Sequence, residues 1–248
     1  MAILHRLFWV VLAAQLLAGC AGLPVASAPS GPASGVAGAV PYPGQWREDY
    51  AAAPVGGERV LAFDGAGSVV RIYVHRGGRA PQLGHNHVLS APQLTGLARV
   101  DPGALARARF DLEFRLDALQ IDDPALRAVL GPAFEGELDA RAIAGTRAHM
   151  LGEDNFQADR YPLVHVRSLG LSGEPPWMAA QVEVWLHGVV RTQWVPLEIA
   201  STTPALDVRG SMVLRQSDFG VHPYEALGGL IAVQDAVVVE FHLRARPL

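Results

Sequence analysis

The stretch Ala108-Arg109-Phe110-Asp111-Leu112-Glu113-Phe114-Arg115-Leu116-Asp117 decides the fold class. Phe110, Leu112, Phe114 and Leu116 alternate with Arg109, Asp111, Glu113, Arg115 and Asp117. Residues two apart share one face of a strand, so one face here is wholly apolar and the other wholly charged. Such a segment reads as an antiparallel strand with one side in a core and the other in water.

The same period of two recurs on both sides of this stretch. Val237, Val239, Phe241 and Leu243 alternate with Glu240, His242 and Arg244, and Val182, Val184 and Leu186 alternate with Gln181, Glu183 and His187. Weaker alternation runs through 69–75, 94–100, 163–171, 192–200 and 206–215. Gly77-Gly78, Asp101-Pro102-Gly103 and Gly173-Glu174-Pro175-Pro176 supply turns between them. Residues 132–150 break the pattern. They are rich in Ala, Glu and Arg and read as largely helical, although Gly136 and Gly145 each cost about 1 kcal/mol relative to Ala. Glu135, Glu137 and Asp139 suit the positive N-terminus of that helix. About eight half-buried strands with one helical insertion imply an all-β domain over residues 58–248, either a closed barrel or a sandwich. Eight strands make about the smallest barrel that can hold a small ligand inside.

Composition narrows the function. Of 248 residues, 50% are hydrophobic and 18% charged, with a net charge of −4, so neither whole-chain disorder nor a phosphate-binding basic surface fits. No nucleic-acid partner is expected. All 20 basic residues are Arg, which removes lysine Schiff-base and lysine general-base chemistry. One cysteine cannot form an internal disulfide.

The N-terminus bears on the compartment. His5 and Arg6 precede an apolar run from Leu7 to Ala18 that is too short to span a bilayer but suits a signal peptide. Leu17-Ala18-Gly19-Cys20 resembles the lipobox of bacterial lipoproteins, which implies removal of residues 1–19 and lipidation of Cys20. Ala21, rather than Asp, after that Cys directs the expectation to the periplasmic face of the outer membrane. Of residues 21–45, 19 are Ala, Gly, Pro or Ser, the composition of a disordered tether about 25–30 Å in reach. Residues 46–57 are transitional, and the tether is taken to run from Cys20 through residue 57.

Three short motifs follow in the C-terminal half. Phe156 and Tyr161-Pro162 stand in Asn155-Phe156-Gln157-Ala158-Asp159-Arg160-Tyr161-Pro162. Gly188 stands in Leu186-His187-Gly188-Val189-Val190-Arg191. Asp218, Phe219 and Gly220 stand in Leu214-Arg215-Gln216-Ser217-Asp218-Phe219-Gly220. In this order they resemble the YceI family of bacterial secreted proteins, over roughly residues 66–246. That resemblance implies an extended eight-stranded antiparallel lipocalin-like barrel with a helical lid, binding a polyisoprenoid or similar amphiphile and performing no chemistry on it. Phe110, Leu112, Phe114, Leu116, Val182, Val184, Leu186, Val237, Val239 and Phe241 would then line a ligand tunnel, although a self-filled core needs the same residues. No cofactor is implied beyond such a bound lipid.

The segment Leu83-Gly84-His85-Asn86-His87-Val88-Leu89 departs from the His-Leu-Gly-Phe-Ser-like sequence of many members. His85, Asn86, His87 and Arg215 are read as contacts to loops or to a polar head group. The alternative is a metal site: on an extended strand His85 and His87 would point the same way, with a third ligand from His149, His187, His222 or a carboxylate. Arg215, Ser217 and Asp218 lack a Gly-x-Ser-x-Gly elbow, so a hydrolase reading gives way to a local turn that closes the barrel. Asp122-Asp123 before Pro124 reads as a turn. Trp177, Trp185 and Trp194 are candidates for a tunnel mouth, a membrane contact or ordinary core.

Overall fold

A computed structural model describes residues 42–248. The expected signal peptide, Cys20 and the expected tether up to residue 41 lie outside the described residues. Twelve strands follow in order. They are β1 (Arg59–Phe63), β2 (Val69–Gly77), β3 (His87–Ser90), β4 (Thr95–Val100), β5 (Arg109–Arg115) and β6 (Gln120–Ile121), then β7 (Leu163–Glu174), β8 (Trp177–Leu186), β9 (Val189–Ser201), β10 (Leu206–Arg215), β11 (Glu225–Ala226) and β12 (Ile231–Pro247). Every pairing between them is antiparallel.

The early strands are broken. β1 and β2 both lie along β12, with Phe63 opposite Ala245 and Val69 opposite His242. In the same way β4 and β3 follow β1 and β2, and β5 and β6 follow β4 and β3. Counting each broken pair as one stave and leaving out β11, which pairs only with β12, gives eight in chain order, and pairing of β12 with β1 closes the ring. The sandwich is thereby excluded and the eight-stranded barrel stands. Closure leaves only the two-residue strands β6 and β11 with an unpaired edge among the described residues.

Alternation sets the inside. Leu112, Val164, Val182, Val184, Val195, Leu197, Val208, Val239 and Leu243 are buried in one apolar core within the barrel. The helical insertion is shorter than the sequence suggests: α1 (Pro124–Ala128) precedes it, and α2 spans only Ala140–Leu151. Gly131 and Gly136, at φ 78° and 95°, keep 131–136 out of the α-helix, with only a 3-10 turn at Pro132–Phe134, whereas Gly145 is tolerated within α2. Asp139 caps α2 by accepting from Ala142 N–H at 2.7 Å. No residue of α2 is buried, yet Arg147 ties it down by donating to the carbonyls of Asp117 and Leu119.

Two expectations need correction. The tether does not run to residue 57, because Trp46–Tyr50 forms a 3-10 turn against the barrel with Trp46 and Tyr50 buried. Nor is the whole charged face of β5 in water, although Arg109 and Arg115 at its ends are exposed. Asp111 on that face is only 3% exposed, and Tyr50 Oη donates to it at 2.8 Å while Trp46 Nε1 donates to Glu113 at 3.0 Å. Period-two alternation reports two unlike faces but not what covers the second one. His165 is fully buried beneath the same segment.

Candidate ligand cavity

All ten tunnel residues named from the sequence line one of two cavities inside the barrel. The narrower, of about 110 Å³, presents an entirely apolar surface that includes Phe110, Leu112, Phe114, Val182 and Phe241. The wider, of about 400 Å³, lies under α2 and is lined by Leu116, Val184, Leu186, Val237 and Phe156 among others. Phe114, Val166, Met212 and Val239 line both, so the two meet at that ring of side chains. Apart from Arg109, which presents no polar surface to the narrower cavity, the polar side chains lie around the wider one: His87, Thr146, His149, Asn155, Gln216 and Tyr224. The interior is thus amphipathic along its length.

His87 is held from behind. Its Nδ1 lies 2.6 Å from Asp122 Oδ2, while Asp122 Oδ1 accepts from Arg127 Nη1 at 2.7 Å and from Val88 N–H at 3.0 Å. Burial pushes the Asp122 carboxyl up. The His87 hydrogen bond and charge, then Val88 N–H and Arg127, outweigh that and hold it below the ordinary carboxylate value. An ionised carboxylate only accepts, so Nδ1 of His87 carries the proton and Nε2 is left for the cavity. Asp122 sits at φ 54°, and Asp123 caps α1 through Leu126 N–H. The Asp122-Asp123 turn is therefore a scaffold for His87.

The remaining sequence-predicted contacts are not all brought here. His85 lies outside β3 and is exposed, so the two imidazoles do not share a strand face and the metal pair does not form. Among the described residues no group of three His, Cys, Asp or Glu is placed to hold a metal. Asn86 is buried beside His87, accepting from Arg76 N–H and donating to the Ala133 carbonyl, which ties the 131–135 loop to β2. Arg215 points away and pairs with Asp235 at 3.1 Å, because outward positions of β10 and β12 face each other there. Asp235 also accepts from Ser217 N–H and Oγ, so that local turn closes on Asp235 and not on Asp218. None of Trp177, Trp185 and Trp194 lines either cavity. Trp177 and Trp194 are exposed, and Trp185 packs on His165.

The three motifs converge on one corner. His187 and Gly188, at φ 52° and 70°, form the two-residue turn joining β8 to β9. Tyr161 packs on that turn so closely that a Cβ on Gly188 would lie 2.6 Å from Tyr161 Cε1. His187 Nδ1 lies 3.0 Å from the Phe219 carbonyl, Phe219 is buried, and Gly220 ends the segment at φ 71°. Pro162 contributes its carbonyl to Leu116 N–H. Of Phe156, Tyr161, Pro162, Gly188, Asp218, Phe219 and Gly220, Phe156 alone lines the cavity.

Sequence reasoning missed Arg127, Asn155, Gln216 and Tyr224 as site residues, took Asp122 only as a turn residue and named His149 only as a possible metal ligand. Part of the signal was present: Ala142, Thr146 and His149 recur at i, i+4 and i+7, one face of a helix. Asp123 before Pro124 is an N-cap signature, which leaves Asp122 free for another partner.

A closed barrel of eight antiparallel staves, apolar within and roofed by a short helix, defines a lipocalin-like barrel. Residues 64–245 match the model of the YceI-like domain, well over half of the chain, and the chain belongs to that family. Its fold resembles the crystal structure of BcnA from Burkholderia cenocepacia, with a TM-score of 0.56 at 18% identity over 73% of this chain and 98% of that one. A polyisoprenoid binding domain from Saccharophagus degradans, implicated in plant cell wall breakdown, aligns with a TM-score of 0.49 at 12% identity, over 76% and 98% of the two chains. The Campylobacter jejuni YCEI protein aligns at 0.48 and 12%, over 64% and 84%. A search of curated proteins gave no significant match.

Proposed function

We propose that this protein is a non-enzymatic carrier that holds a long-chain, isoprenoid-type amphiphile inside its barrel, working in the cell envelope from a lipid anchor at Cys20 on the periplasmic face of the outer membrane. One observation carries the reading: the interior runs from a wholly apolar end to an end lined with polar side chains. That gradient matches a molecule with a long tail and one polar head. Each buried CH₂ contributes about 0.8 kcal/mol, so roughly 15 buried carbons contribute about 12 kcal/mol. This is of the order of the ~4–15 kcal/mol that association and ordering cost, so a long chain binds where a short one does not.

Native mass spectrometry of the protein, purified from a bacterial host without detergent, tests the reading. A retained mass that extracts as a long-chain lipid is the expected result. Phe114→Asp or Phe241→Asp, placing a charge in the narrower cavity, should abolish that mass in a folded variant. Undiminished lipid in either folded variant would sink the proposal.

A further inference from the structure

Granting the carrier reading, the polar end of the interior says what kind of head it receives. Six polar residues surround the wider cavity: His87, Thr146, His149, Asn155, Gln216 and Tyr224. No Arg, Asp or Glu is among its lining residues, and the chain has no Lys at all. Arg127, the cation behind His87, is not part of the wall and is already bonded to Asp122 Oδ1 and the Asn86 carbonyl. A phosphate, diphosphate or carboxylate head would therefore surrender its hydration with no fixed cation to receive it, which is strongly unfavourable.

The wall also has a hydrogen-bonding sense. Nδ1 of His87 donates to Asp122, so in the neutral ring Nε2 is an acceptor, and it has no protein partner among the described residues. Gln216 donates through Nε2 to the Gln234 carbonyl, and Asn155 donates through Nδ2 to the His222 carbonyl. Those bonds orient both amides and leave Oε1 of Gln216 and Oδ1 of Asn155 as acceptors without a partner among the described residues. These three acceptors, with the Thr146 and Tyr224 hydroxyls able to donate or accept and no fixed charge in the wall, suit a neutral head that both donates and accepts a hydrogen bond. We infer that the ligand bears an uncharged hydroxyl head (an alcohol, phenol or hydroquinone) and that His87 Nε2 accepts from its O–H.

Geranylgeraniol, its methyl ether and its diphosphate share one tail and differ only at the head. Offered together at equal concentration to lipid-stripped protein, with native mass spectrometry as the readout, the alcohol should occupy the barrel at least tenfold over either of the others. Equal occupancy by all three would overturn the head-group inference and leave the carrier reading standing, and preference for the diphosphate would overturn it outright. Retention of none would overturn the carrier reading and this inference together. His87→Leu should bring the alcohol-to-ether ratio toward one, and a ratio unchanged in that variant would remove His87 from the account. Asp122→Asn adds a test that a merely structural Asp122 would not pass. An Asn amide donating to Nδ1 moves the ring proton to Nε2, so the ether should gain on the alcohol.

Discussion

Two His–Asp–Arg clusters sit on opposite faces of the same barrel wall. On the inside, His87 meets Asp122 at 2.6 Å and Asp122 meets Arg127 at 2.7 Å. On the outside, His165 and Arg167 both meet Asp111 Oδ1 at 2.7 Å. The chemistry is the same, but the second ring nitrogen faces different surroundings. Nε2 of His87 meets a cavity. Nδ1 of His165 is buried with no partner, boxed by Tyr42, Trp46 and Trp185 at ring separations of 5.6, 5.6 and 5.4 Å. A histidine braced by a carboxylate becomes a recognition group only where its other nitrogen is accessible. The outer cluster instead fastens residues 42–50 to β5 and β7.

That contrast predicts its largest effect at Asp111. Asp111→Ala leaves Arg167 and the fully buried His165 without their carboxylate, and breaking a buried pair in this way costs about 3–5 kcal/mol. At about 2–4 °C per kcal/mol for a chain of this size, thermal unfolding should fall by roughly 10 °C. The alcohol-to-ether preference should not move. A shift in that preference would mean the two clusters are coupled through the wall. Trp46→Ala comes next, at about 3 kcal/mol for a buried indole that also donates to Glu113. Limited proteolysis should then cut between residues 42 and 58 well before the barrel unfolds, and a cut no faster than in the parent would show that the outer cluster holds the segment without Trp46.

Acid should act on both clusters in the same direction. Burial pushes the Asp111 carboxyl up, but hydrogen bonds from His165, Arg167 and Tyr50 hold it below its ordinary value, as His87 and Arg127 do for Asp122. A carboxylate whose folded pKa is depressed gives stability that is complete above the unfolded value, near ~3.9, and is lost as pH falls through the folded value. The melting temperature should therefore hold from neutral pH down to about 4 and bend downward below it. Asp111→Asn should flatten part of that bend, and Asp122→Asn another part. If either variant bends as steeply as the parent, its carboxylate does not carry the acid sensitivity.

How much of this could be read from the sequence follows from what alternation encodes. Phe110, Leu112, Phe114 and Leu116 announced an inward face, because that face is continuous and needs no distant partner to identify it. The opposite face announced only charge. Whether Asp111 meets water or a covering segment depends on Trp46 and Tyr50, more than 60 residues earlier and in a stretch without periodicity. Asp122 was misread for a related reason. Asp-Asp-Pro is turn chemistry in any context, and only the pairing of β3 with β6 sets Asp122 beside Val88 N–H and His87. The His85–His87 pair failed because β3 begins at His87, so the spacing of two never became a strand face. The three family motifs were legible as motifs, while their common purpose, a turn at Gly188 sealed by Tyr161 and Phe219, needed the closed barrel to be seen.

The smallest effect belongs to Arg215, and it separates a charge that looks functional in sequence from one that is functional in place. Arg215 resembles Arg127 as a cation beside an Asp, but its side chain is 65% exposed against 6% for Arg127. Water screens the Arg215–Asp235 pair and already solvates both partners, so removing the guanidinium strands nothing. Arg215→Ala should change stability by no more than about 0.5 kcal/mol, within the range of exposed ion pairs. Asp235 keeps the Ser217 N–H and Oγ donors that order the turn. Lipid retention should be unaltered, because the outward pairing directs the side chain away from the wider cavity, whose wall includes the neighbouring Gln216 and Leu214. Native mass spectrometry of Arg215→Ala with geranylgeraniol decides the point. A loss of bound alcohol in this variant would place a cation at the head group after all, and would return charged amphiphiles to contention.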